Sequence, residues 1–191
     1  PHAAITRKAP RQALNRAVRG WAVCMALVGG TCHAQAQPAV ESTTPVRMVA
    51  QDVAPGTWFV QGLSALGSAA NQNFISNAAF VVTPAGVLVI DALGSPALAE
   101  RLLTMIRERT SLPLRYLVVT HCHADHIYGL QVFKAAGARI VAHAGCREYL
   151  NSDTARLRLQ ASREEMFPWI DERTQLVTPD QWLGEDPQDQ D

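Results

Sequence analysis

From Gly56 onward the apolar residues fall into short dense runs separated by turn residues. Thr57-Trp58-Phe59-Val60-Gln61 is β-branched and aromatic and stops at Gly62, which predicts a strand. Ile75 to Thr83 is a second strand candidate, followed by the turn Pro84-Ala85-Gly86. Val87-Leu88-Val89-Ile90 is apolar without interruption, the pattern of a strand covered on both faces, and it ends at Asp91. Ser95 then supplies an N-cap and Pro96 a first helical residue, and Leu98, Leu102, Leu103 and Ile106 make one helical stripe. Leu114 to Thr120 predicts another buried strand, 127–136 a helix, 138–142 a strand and 148–165 a long helical stretch. Strands alternating with helices predict an α/β fold with some parallel pairing.

The first part of the chain has a different texture. Residues 1–36 hold Arg7, Lys8, Arg11, Arg16 and Arg19 and no acid. Trp21 to Gly30 is apolar, and Ala34-Gln35-Ala36 is a small-x-small site, so 1–36 reads as a secretory signal peptide. The apolar run is about half the ~20 residues that a membrane span requires. The expected location is therefore periplasmic or secreted, with no stable membrane span after cleavage. Residues 37–55 read as a linker or extended entry segment, 56–183 as the folded domain, and 184–191 as an acidic tail. Taking those five basic residues from the 17 in the chain leaves 12 against 17 acidic ones, a net −5, which disfavours nucleic acid as a partner. Cys24 and Cys32 leave with the signal. Cys122 and Cys146 are read as two buried small hydrophobes, since pairing Cys122 is expected to disturb its neighbours.

Those neighbours carry the chemistry. His121-Cys122-His123-Ala124-Asp125-His126 places three imidazoles and a carboxylate in one turn behind an apolar strand. Neutral imidazole and carboxylate suit zinc or iron, and strand ends are where such sites sit. The competing reading is a polar turn whose histidines cap the next helix.

The segment resembles the metallo-β-lactamase superfamily, with its H-x-H-x-D-H after an apolar strand and an Asp, here Asp91, ending the strand before. The resemblance covers roughly 56–180. It implies that His121 and His123 bind a first zinc, and that Asp125 and His126 bind a second. It further implies that Asp125 orients a metal-bound hydroxide, and that Asp91 holds the ligand loop in place without touching metal. His143, downstream at a strand end, matches a family histidine that is not a ligand. The fold implied is the first half of an αββα sandwich, truncated before further ligands. The function implied is an exported zinc-dependent hydrolase, with one or two ions, acting on a small ester, thioester, lactam or sulfur-containing molecule. Two alternatives stand beside it: a truncated, non-catalytic metal-binding half-domain, and an iron-dependent redox member of the same fold.

Overall fold

The structure, a computed structural model, describes residues 46–184, all within the unit Val40–Asp191. Expectations for the signal peptide at 1–36 and for the acidic tail from Glu185 lie outside the described residues. A seven-stranded sheet runs in chain order: β1 (Ala50–Ala54), β2 (Thr57–Val60), β3 (Ala78–Thr83), β4 (Gly86–Ile90), β5 (Leu114–Val118), β6 (Arg139–His143) and β7 (Gln181–Leu183). The first four strands pair antiparallel, and β4 to β7 pair parallel. Helix α1 (Pro96–Arg107) connects β4 to β5, and α2 (Ala124–Ile127) and α3 (Leu130–Ala135) connect β5 to β6. Helices α4 (Cys146–Leu150) and α5 (Asp153–Glu165) precede β7. No helix among the described residues is long and apolar enough to cross a membrane.

Each parallel crossover steps the same way along the sheet, so right-handed connections place the connecting helices on one face. There Leu98, Leu102 and Ile106 of α1 meet Leu130 and Phe133 of α3, over Phe80, Val89, Leu117 and Ile140 of the strands. Each such side chain, fully buried, stabilises the fold by about 1.5–3 kcal/mol. On the opposite face Ala79, Val81, Leu88, Ile90 and Val118 are only half-buried. The expectation that β4 and β5 are covered on both faces is therefore not met: Arg115 and Tyr116 are exposed, Tyr116 at 44%.

Other differences have local causes. The entry segment expected over 37–55 includes β1, a largely exposed edge strand held by its pairing with β2 rather than by burial. The helix expected at 127–136 is two short helices, because Gly129 approaches the end of β4. A Cβ there would lie 2.0 Å from the Ala92 carbonyl oxygen, and its N–H donates to Leu93 O at 3.3 Å. The stretch expected at 148–165 breaks at Asn151, where Ser152 accepts from Ala155 N–H and caps α5. Strand β7 has only three residues and no alternation to announce it. It is secured by Asp180, whose carboxylate accepts from Ile140 N–H at 2.9 Å and Lys134 Nζ at 2.8 Å.

Candidate metal centre

The carboxyl ends of β4 and β5 deliver Asp91 and Thr120 to the same place. Asp91 is 3% exposed and adopts φ 60°, a left-handed conformation that a non-glycine residue holds only where its surroundings require it. Its Oδ1 accepts from Thr120 N–H at 2.8 Å. Its Oδ2 accepts from Thr120 Oγ1 at 2.7 Å and pairs with His126 Nδ1 at 2.8 Å. A carboxylate only accepts, so Thr120 spends its single hydroxyl proton on Asp91. Thr120 Oγ1 also lies 3.1 Å from His121 Nδ1, which must then be the donor. Both His121 and His126 are thereby assigned a proton on Nδ1 and, when neutral, a free lone pair on Nε2. One buried carboxylate thus sets two tautomers, directly for His126 and through Thr120 for His121.

In the extended stretch after Thr120, side chains alternate: His121 and His123 are exposed, and Cys122 between them is 8% exposed. The His121 ring centroid lies 4.7 Å from that of His123 and 4.0 Å from that of His126. Asp125 lies beside them, its Oδ2 3.4 Å from His126 Nε2. Its backbone carbonyl accepts from Ser76 Oγ. His123 occupies the N-cap position of α2, yet its side chain makes no capping hydrogen bond, so helix capping does not account for it. His143 is placed elsewhere: its Nδ1 accepts from Gly145 N–H at 3.0 Å in a local turn.

The alternation also overturns the expectation for the cysteines. Cys122 and Cys146 form a disulfide. Burial was read correctly and chemistry was not, because Cys122 points to the side opposite the imidazoles. Its bond to α4 therefore leaves the ring cluster intact.

The electrostatics separate the histidines. Burial lowers the pKa of His121, and the charges of His126 and His123 lower it further against Asp91 and Asp125, so its neutral form is favoured. Burial also pulls His126 down, but its hydrogen bond to Asp91 and the charges of Asp91 and Asp125 outweigh that and raise it.

Beside the cluster opens a cavity of about 630 Å³. His123 and Asp125 form its floor, Leu66 and Met166 give it apolar walls, and Tyr149 and Arg158 stand on the α4–α5 side. Arg158 Nη1 is 3.1 Å from Glu165 Oε2, and both side chains are about half-exposed, so that ion pair is weak enough to yield to a ligand. Sequence reasoning did not find Thr120, Ser76, Tyr149 or Arg158. Thr120 stood next to the motif and could have been suspected, whereas the others come from distant segments.

As a metal site the donors fit in kind. Three imidazoles and a carboxylate are the ligands of zinc, and two of the imidazoles have Nδ1 committed so that Nε2 is available. Among the described residues, however, no three His, Cys, Asp or Glu side chains converge closely enough to cage an ion by themselves.

Comparison with known proteins agrees on the kind of protein. The sequence pattern of the metallo-beta-lactamase superfamily matches residues 72–186. A curated relative, metallo-beta-lactamase IND-1 of Chryseobacterium indologenes, is 28% identical over 82 residues, which is 43% of this chain and 34% of that protein. Among solved structures, a metallo-beta-lactamase from Pontibacter korlensis is similar at TM-score 0.49 and 20% identity, over 73% of this chain and 54% of that one. The mono-zinc form of FIM-1 from Pseudomonas aeruginosa is similar at TM-score 0.49 and 17% identity, over 75% and 53%. The chain spans about half the length of these solved relatives and about a third of the curated one.

Proposed function

The chain belongs to the metallo-beta-lactamase superfamily, and from that premise we propose that it is an exported, zinc-dependent hydrolase of a small ester, thioester, lactam or sulfur-containing substrate. The observation that carries this reading is the Asp91-ordered cluster of His121, His123, Asp125 and His126, of which His123 and Asp125 line the 630 Å³ cavity. Those four side chains would hold the metal, His121 and His126 through Nε2. When bound, zinc supplies Lewis acidity and lowers the pKa of a coordinated water. The protein's own residues do the rest. Asp91 and Thr120 keep the His121 and His126 imidazoles in the ligating tautomer, and Asp125, beside His126, would accept and orient a water proton. Leu66 and Met166 give one wall of the cavity an apolar lining. Arg158 on the other wall favours a substrate whose small apolar body carries an anionic group.

Export is supported by the order of basic, apolar and small residues in 1–36 and, independently, by the disulfide, which persists in oxidising compartments. A second reading, a metal-binding chain without catalysis, is favoured by the lack of three converging donors among the described residues. Elemental analysis and zinc titration, followed by a hydrolysis screen with His123→Ala alongside, decide between the two. The hydrolase reading expects tight zinc and an activity that His123→Ala largely removes. Activity that survives His123→Ala would overturn it, and tight zinc without hydrolysis would support the second reading.

A further inference from the structure

The Cys122–Cys146 disulfide joins two parts of the molecule that a metal site needs to hold still. Cys122 lies between His121 and His123, and Cys146 opens α4, whose Tyr149 lines the cavity. The backbone offers the turn little other restraint. Thr120 N–H donates to Asp91 and His126 N–H to His123 O, but among the described residues the N–H groups of His121, Cys122 and His123 donate to no protein acceptor. The middle of the ligand turn is therefore held by its one inward side chain, and that side chain is covalently anchored. Both cysteines are only 8% exposed, so the anchor is built into the packed side of the turn.

We propose that the disulfide is a positioning element of the metal centre: it ties the His121–His123 turn to α4, so that the oxidised chain binds metal more tightly than the same chain without the bond. The inference rests on the reading that His121 and His123 hold a metal. Two thiols would leave the turn free to move away from Asp125 and His126, and bringing the imidazoles back together would oppose binding. The cavity wall would loosen with it, since Tyr149 follows Cys146 on the same helix.

The test is zinc titration of the full oxidised chain beside the paired substitution Cys122→Ala with Cys146→Ala, which also removes the two thiols that would otherwise stand beside the imidazoles, Cys24 and Cys32 being common to both proteins. The expected result is zinc binding weaker by about tenfold or more, the loss typical when a group that orients ligands is removed, with cooperative unfolding retained. Unchanged affinity overturns the inference. Should the paired variant not fold, hydrogen exchange on the wild-type chain, oxidised and phosphine-reduced, reads the anchor without metal. In that reduction the phosphine gives the disulfide two electrons, and one water supplies the two protons of the thiols and the oxygen of the phosphine oxide. The hydrogen-bonded amides of Val119, Thr120 and His126 and those of 147–150 should then exchange faster while those of β3 and β4 do not change. Uniform loosening, or none, overturns the inference. An oxidised chain that takes up no zinc would instead count against the proposed function.

Discussion

The two sides of the metal centre are built differently. Behind the ligand turn both carboxylate oxygens of Asp91 are used, the tautomers of His121 and His126 are assigned, and a disulfide holds the inward side chain. In front, the cavity is walled by side chains from distant segments: Leu66 is 91% exposed, and Arg158 is held by a surface ion pair with Glu165. On the proposed function, the back orients the metal ligands and tolerates little change. The front would meet the substrate and is only loosely constrained by its own contacts. A site built this way can keep one chemistry while its substrate range is altered from the front alone.

The comparison breaks most readily at Asp91. Asp91→Asn turns one of the two acceptor oxygens into an NH2 donor, so Thr120 N–H and the Thr120 Oγ1–His126 pair can no longer all donate to it, and should weaken zinc binding by about 10–100-fold, with a stability loss of roughly 1–3 kcal/mol. Zinc titration and thermal unfolding would show it, and wild-type affinity in that variant would mean the back of the site is not what orders the ligands. Gly129→Ala tests the same side without touching any ligand. The added Cβ would meet the Ala92 carbonyl at 2.0 Å, and overpacking of this kind costs about 1–3 kcal/mol. A shift in the denaturant midpoint at constant slope is the expected readout.

The front is sharpened by Arg158→Gln, which should raise KM about tenfold for an anionic substrate and leave kcat and zinc content nearly unchanged. A neutral analogue should show no difference between the two proteins. A fall in kcat with KM constant would place Arg158 in the chemistry rather than in recognition.

The smallest effect is expected at Asp180, which belongs to neither side. Its hydrogen bond from Lys134 holds the carboxyl below its usual range, helped by Ile140 N–H and the charges of Lys134 and Arg139. A carboxylate with a depressed folded pKa adds stability above its unfolded pKa, about 3.9, and that stability is lost as pH falls through the lower folded value. Asp180→Asn should therefore be less stable than wild type near neutral pH, and the gap should close on acidification. A gap that persists or widens in acid would show that the ion pair is not what secures β7.

Much of this was legible in the residues themselves. Local signals act over a few positions and need no partner: Ser95 and Pro96 start α1, the stripe from Leu98 to Ile106 faces the core, and Val87 to Ile90 forms a strand. The donor types in His121 to His126 pointed to a metal for the same reason, since ligand chemistry belongs to the side chain. What only the tertiary structure decided are relations between segments far apart in sequence. Gly129 splits a helix because Ala92 comes against it, and β7 forms because Asp180 reaches Ile140 and Lys134. Cys122 bonds Cys146 because alternation turns it inward toward α4. Asp91 shows both halves at once. Its place at a strand end is written in the sequence, but its hold on Thr120 and His126 exists only because β4 and β5 end side by side.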